Sequence, residues 1–278
     1  MRGIHGSLFI LFILVVAVAA SRVHAGILDN SFFIEEAYNQ EARVVQHIQT
    51  IHWTRDRRDG ETARALTYAI TQEWPLGGQR HQLSYTIPYE RAGGGERTSG
   101  IGDVQIHYRL QALEERARRP ALTPRFSIIL PTGNEDRGLG AGTPGVQVNL
   151  PASKKVARVH LHLNAGASVF PDARITLASG ARSPRHDLLA TNLGFSAILL
   201  MSERLNFLLE LATSTEESIG ASGETEEEVL TLISPGLRFA IDRKDGGQWV
   251  FGAAVPLGLS NAEDDSGMFL YTSFEHPF

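Results

Sequence analysis

From residue 40 onward the chain alternates in twos. Gln82–Tyr89 sets Leu83, Tyr85, Ile87 and Tyr89 against Gln82, Ser84, Thr86 and Pro88. Asp103–Leu110 sets Val104, Ile106, Tyr108 and Leu110 against Asp103, Gln105, His107 and Arg109. Val159–Ser168 sets Val159, Leu161, Leu163 and Ala165 against His160, His162, Asn164 and Gly166. Successive side chains of a strand point to opposite faces, so this pattern predicts strands with one apolar and one polar face. Twelve such segments are predicted: Val44–Trp53, Ala63–Trp74, Gln79–Tyr89, Ile101–Ala112, Leu122–Leu130, Thr143–Leu150, Ala157–Val169, His186–Leu200, Leu205–Thr213, Glu228–Ile241, Gln248–Leu259 and Met268–Phe278. The first is poor, because neither of its faces is cleanly apolar. The tenth carries Leu230 and Leu232 on its polar face.

The connections alternate too. Long ones such as TRDRRDGET, ERAGGGERTSG, PTGNEDRGLGAG and PDARITLASGARSPR follow odd strands; short ones such as PLGG, PASKKV and MSER follow even strands. LEERARRPA, after the fourth, is a mid-length exception. Short turns at one end and long loops at the other, with both termini at the short end, is the layout of a transmembrane β-barrel. A soluble sandwich has no reason to obey it. Ten or fourteen strands are the alternatives on count.

Lipid imposes a charge test. An Arg or Lys on the outward register near mid-membrane costs about 2–4 kcal/mol. The apolar registers of strands two to seven and nine to twelve hold no charge within the span apart from Arg64 at a loop end. The partner registers hold Glu73, Arg80, Asp103, Arg109, Arg125, Arg158, Glu210, Glu228 and Arg238. Trp74, Tyr108, Phe207, Phe239, Trp249 and Phe278 fall at the short-turn end of the apolar register, and Tyr89 and Trp53 at the other. Rings at both ends suit the headgroup level of a bilayer.

Composition adds exclusions. With no cysteine among 278 residues, thiol chemistry, disulfides and thiolate metal sites are ruled out. No 18-residue apolar run follows the first 25 residues, so a helical span is not expected. The start differs: Arg2, an apolar stretch from Leu8 to Ala20, then Val23 and Ala25 at the small positions before a cleavage site read as a signal peptide. Cleavage after Ala25 removes Arg2 and Arg22 and no acid. That takes 26 basic and 31 acidic residues to 24 and 31, a net −7 that argues against nucleic acid as a partner. The expected division is 1–25 signal peptide, 26–43 lead-in or plug, and 44–278 barrel.

Candidate chemistry lies on the inward register: Asp103, His107, Arg109, Arg125, His160, His162, Asn192, Glu210 and Arg238. The inward charges either line a narrow polar conduit or latch the barrel shut by ion pairs; a twelve-strand barrel is intermediate between filled and open ones, and the conduit is the favoured reading. His160 and His162 share a face, as strand-borne metal ligands must, but no third ligand is evident, so they read as polar lumen residues with no metal or cofactor expected. Ser84, Ser127 and Ser196 face inward, and no Ser sits beside a His in the same register with an obvious orienting partner, which argues against an enzyme. Asn30 or Ser31 is placed to cap a short helix ahead of Glu35 and Glu36. That segment either folds into the barrel's inner mouth and gates it or is an interfacial lead-in. Glu216–Glu228 holds six Glu and no base and reads as a loop. A solvated loop is the plain reading; binding divalent cations at lipopolysaccharide or steering cationic solutes are the functional ones. Pro235 and Pro256 remove ladder donors and predict bulges or displaced boundaries.

The ending FLYTSFEHPF, apolar at alternate positions up to Phe278, resembles the C-terminal signature of bacterial outer-membrane barrels that their assembly machinery reads. NSFFIEEAYNQEARVVQHIQ, GIGDVQIHYRLQ and PRFSIILPTGNEDRGLGAGTPGVQVNLPASK resemble the MetA-pathway-of-phenol-degradation family. That resemblance implies an outer-membrane barrel passing small, hydrophobic or aromatic solutes, with outer-membrane lipids and lipopolysaccharide as surroundings. It supplies no residue roles. The expectation is an all-β transmembrane antiparallel barrel of about twelve strands after a cleaved signal peptide, acting as a channel; a non-conducting structural barrel and a lipid-modifying membrane enzyme are the alternatives.

Overall fold

The computed structural model describes residues 27, 31–58, 61–93, 98–259 and 265–278. The signal segment and Ala25 lie outside the described residues. The period-two segments form β1 (Val44–Arg58), β2 (Glu61–Pro75), β3 (His81–Gly93), β4 (Thr98–Ile101), β5 (Val104–Leu110), β6 (Ala121–Leu122), β7 (Arg125–Leu130), β8 (Gly145–Asn149), β9 (Ala152–Val156), β10 (Val159–Ala173), β11 (His186–Leu200), β12 (Leu205–Ile219), β13 (Thr225–Asp242), β14 (Gln248–Ala254), β15 (Leu257–Leu259) and β16 (Ser266–Pro277). Four pairs, β4/β5, β6/β7, β8/β9 and β14/β15, are halves of single wall strands interrupted for two residues. The wall therefore has twelve staves. Each pairs antiparallel with its neighbours in chain order, and β1 pairs with β16 from Val44↔Pro277 to Arg55↔Ser266. The sheet is a closed twelve-strand barrel with no free edge, as backbone in lipid requires.

The interruptions have local causes. Between β4 and β5 the pairing to β3 slips by one, from Tyr89↔Ile101 to Thr86↔Gln105, with Gly102 and Asp103 at the slip. Between β14 and β15 there is no slip: pairing to β13 stops at Gly236↔Ala254 and resumes at Ile233↔Leu257 in the same register. Pro235 and Pro256 sit at that gap, where each lacks a donor. Neither makes a bulge, and β13 runs unbroken through Pro235. What moves is the eleventh boundary, split at Val255–Pro256.

Other boundaries lie further out than expected. β1 continues past Trp53 to Arg58, β12 past Thr213 to Ile219, and β13 begins at Thr225 rather than Glu228. Beyond the apolar belt both faces are polar, so alternation fades while the ladder persists. The six-Glu segment is thus mostly paired wall rather than loop, with Glu216↔Glu228 and Glu217↔Glu227 in register.

The outer register is apolar and bare. Leu83, Tyr85, Ile87, Ile106, Ile128 and Val148 are each at least 36% exposed, while Gln82, Ser84 and Ser127 on the inner register are 0–3% exposed. Aromatic rings gather outside near the short turns: Trp74–Phe278 at 5.4 Å and Trp249–Phe274 at 4.5 Å between centroids. The packed core lies inside the barrel at that same end, the base. There Ile27 and Phe32 join Ile48, Ile198, Leu208, Ala240, Val250, Phe269 and Tyr271. No helix among the described residues is long and apolar enough to cross a membrane.

Candidate functional site

The N-terminal segment occupies the lumen. Its described residues form no helix: residues 31–39 are bends and irregular backbone, and the one helical turn among the described residues is Glu135–Arg137. Irregular backbone inside a barrel needs partners for its N–H and C=O groups, and the inner wall supplies them. Near the base, Arg238 donates to Ile27 O at 3.3 Å. Higher up, Ser31 and Ser196 share a 2.7 Å hydroxyl contact, and Glu210 Oε1 accepts from Phe33 N at 2.9 Å and Ile34 N at 3.1 Å. Glu35 pairs with Arg125, which also donates to Gln147. With its amide oriented to satisfy both groups, Asn164 donates to Glu35 O at 2.9 Å and accepts from Glu35 N at 2.7 Å.

The chain then returns to the base. Arg109 donates to Glu36 O, Ala37 N donates to Ser153 Oγ at 2.7 Å, and Thr123 Oγ1 donates to Ala37 O at 2.8 Å. Gln40 N donates to Gln82 Oε1 at 2.7 Å just before β1 begins. The segment is a hairpin-like plug with its tip at Phe33, Ile34 and Glu35.

Side chains lock the tip sterically. Phe32 packs on Phe269 and Tyr271 at 5.4 and 5.7 Å; Phe33 packs on Phe269 and His52 at 4.8 and 5.3 Å. Wall glycines make this possible. A Cβ at Gly252 would stand 2.5 Å from the Phe32 ring, one at Gly236 2.7 Å from it, and one at Gly194 would collide with Ile34.

The base is tied by Tyr38, whose hydroxyl donates to Glu115 Oε2 at 2.6 Å; Lys154 Nζ and Lys155 N donate to Glu115 Oε1 at 2.7 and 2.9 Å. Burial alone would raise the Glu115 pKa, but these donors outweigh it and hold the carboxyl below its usual range. Burial and the carboxylate together push the Tyr38 hydroxyl upward.

Of the nine candidate residues, His107, Arg109, Arg125 and Asn192 line the space around the plug. Arg109, Arg125, Glu210 and Arg238 hold the plug. Arg109 and Arg125 also line the space beside the tip. Asp103, at the slip beside β5, accepts from Gly133 N and Ala141 N at 2.9 Å each and anchors a long loop. Asn192 donates to Asn149 Oδ1 at 3.4 Å.

Serines stand beside His107 and His162. His107 Nδ1 lies 2.8 Å from Ser127 Oγ, and His162 Nδ1 lies 2.7 Å from Ser153 Oγ. Both serines are at most 1% exposed. His107 Nε2 faces Thr86 Oγ1 at 3.3 Å rather than a carboxylate, and His162 Nε2 has no hydrogen-bond partner. An acyl-transfer site needs a reachable nucleophile and an oriented base, and neither pair offers both. No group of three or more metal-ligating side chains closes around His160 and His162 or elsewhere among the described residues.

Open space surrounds the tip. Beside it, toward the base, is a cavity of about 220 Å³ lined by Thr50, Thr71, Thr86, His107 and Arg109. Toward the long loops, a cavity of about 280 Å³ is lined by Gln147, Asn149, Asn164, Ser168 and Asn192. On the opposite wall two further cavities, about 240 and 210 Å³, share His52, Ser214, Leu230 and Leu232. The sequence flagged Leu230 and Leu232 only as misplaced leucines; they form an apolar wall inside the lumen. Phe33 and His52 carried no such signal, because their roles depend on where the plug folds.

No protein-family model and no curated protein matches the chain. Solved structures do. The COG4313 outer membrane channel from Pseudomonas putida F1 superposes with a TM-score of 0.62 at 13% identity, over 91% of this chain and all of that one. The translocator domain of the autotransporter NalP from Neisseria meningitidis gives 0.53 at 12%, over 86% of this chain and 90% of that one. The β-domain of the Bordetella autotransporter BrkA gives 0.51 at 11%, over 86% of this chain and all of that one. At these identities the likeness is one of fold, that of the outer-membrane β-barrels.

Proposed function

We propose that the chain is an outer-membrane channel for small solutes whose lumen is narrowed by its own N-terminal segment. The observation that carries this is the pairing of an apolar, uncharged outer wall with cavities on both sides of a plug that is bonded rather than fused to the wall. A purely structural barrel of this size has no need of open chambers around its plug. The solute reaches the plug from the long-loop side and passes through the space beside Phe33 and Glu35, with or without displacement of the tip. The apolar inner wall suits solutes with a hydrophobic or aromatic body. The base and its ring of aromatics face the periplasm, Phe278 is the contact offered to the barrel-assembly machinery, and the long loops meet lipopolysaccharide.

The test is conductance of the purified mature protein in planar bilayers, with solute uptake by cells carrying or lacking it. Deleting residues 31–39 is expected to enlarge the unit conductance. A barrel that is silent with and without these residues, and that changes no uptake, refutes the channel reading.

A further inference from the structure

Above the packed base, the open space over Phe33 is lined mainly by apolar side chains. The cavities there share His52, Ser214, Leu230 and Leu232, so they are two lobes of one chamber. We infer that this chamber is a binding subsite for organic cations: a single apolar ring or short chain bearing a protonated amine. The inference names a solute class for the proposed channel and rests on that reading only for its purpose, since binding requires no flux.

Three features select this class. The inner part of the chamber is apolar, with Phe33 and Ile34 of the plug facing Leu230 and Leu232, and Pro256 lines the outer lobe. A hydrophobic body is favoured there, as in ligand pockets generally. The outer part carries four carboxylates, Asp56, Glu216, Glu228 and Asp265, and Arg55 is the one basic side chain among its described lining residues. Glu216 and Glu228 are directly opposed across β12 and β13 on the inner register. Like charges so placed destabilise a ladder, and a cation between them offsets that repulsion.

His52 supplies the third feature. Its Nε2 is buried without a hydrogen-bond partner, and its ring meets Phe33 edge-on at 5.3 Å. A buried, unmet ring nitrogen is an expensive feature that a ligand donor relieves, and the neighbouring Phe33 ring offers a face to a cation. A bare metal ion fits poorly, because no three of the described acidic or histidine side chains close to ligating distance. An anion faces the carboxylates.

The experiment compares benzylammonium, benzyl alcohol and benzoate by calorimetry on the detergent-solubilised mature protein at low salt and neutral pH. The cation is expected to bind about tenfold tighter than the alcohol, with benzoate weakest and the cation's advantage shrinking as salt rises. The double substitution Glu216→Gln with Glu228→Gln is expected to bring the cation down to the alcohol's affinity and leave the alcohol unchanged. Leu232→Asn is expected to weaken both. Equal binding of the three wild-type probes, or a cation preference that survives the double substitution, overturns the inference. Cation binding in a barrel that passes no solute keeps the subsite and refutes the channel; flux without any cation preference does the reverse.

Discussion

Glu210→Ala tests whether the plug is held by hydrogen bonds to the wall. Glu210 is 0% exposed, and one of its oxygens accepts both Phe33 N–H and Ile34 N–H. Truncation leaves two amides in the lumen without an acceptor, at about 1–3 kcal/mol each. Water entering the space left by the side chain meets part of that need. The expected loss is therefore in the lower half of the summed range, roughly 2–3 kcal/mol, or about a 30- to 150-fold rise in the undocked fraction. Because the chain has no cysteine, Phe33→Cys creates a unique thiol at the tip. Its rate of modification by a bulky maleimide reports undocking, and it should rise by that factor when Glu210→Ala is added. Glu210→Gln keeps an acceptor oxygen in place and should stay within about fivefold of the Phe33→Cys reference. Glu210 Oε2 has no partner, so the charge itself is a desolvation burden rather than the source of docking. A tip thiol that reacts equally fast in both backgrounds would show that packing alone holds the plug.

Gly252→Ala places a methyl against the Phe32 ring and should raise tip-thiol reactivity while leaving the outer wall unchanged; Gly252→Ala combined with Phe32→Ala should restore the slow rate. Arg125→Ala leaves Glu35 without its partner inside the lumen, and Glu35→Gln added to it should recover much of the lost thermal stability, read by heat-modifiable gel mobility. The tie between Tyr38 and Glu115 has a defined pH sign. The folded pKa of Glu115 is depressed, so its contribution is fully present above the unfolded carboxylate pKa and is lost as pH falls through the lower folded value. Wild type should lose more thermal stability than Glu115→Gln on acidification through that window, measured by thermal melts. Phe278→Ala removes the ring that meets Trp74 and should lower the yield of folded, membrane-inserted barrel in cells.

The barrel was legible because lipid makes one demand on every stave. Leu83, Ile106 and Leu163 must face hydrocarbon, so the outward register is written in local sequence, one residue in two, and twelve repetitions fix the count. Where that demand lapses, the reading lapses. Glu216, Glu217, Glu226 and Glu227 extend the wall beyond the apolar belt, where both faces are wet and a strand looks like a loop. Ser127 and His107 lie on different staves, 20 residues apart, and meet only because β5 and β7 pair with His107 opposite Ser127. That register is set by the turn between the strands, not by either residue.

The plug was legible in neither way. Phe32 and Phe33 signalled that cover was needed, but the cover comes from Gly236 and Gly252 on one side and Phe269 and Tyr271 on the other, more than 200 residues later in the chain. A glycine on the lumen face of a strand reads as a weak strand position, since it adds no packing of its own. Its meaning appears only when another segment approaches closer than a methyl group allows. The same holds for Leu230 and Leu232: a leucine on the wet face is a defect until a ligand or a plug residue stands opposite it. In a barrel, then, the residues that violate the alternation are the ones that carry lumen function. A scan replacing inward-facing residues should affect solute passage most at Leu230, Leu232, His52 and the plug-contacting glycines, and least at Ser84 and Thr86, which obey the pattern. If uptake responded equally at all of them, lumen polarity alone would govern passage and the apolar chamber would have no special part in it.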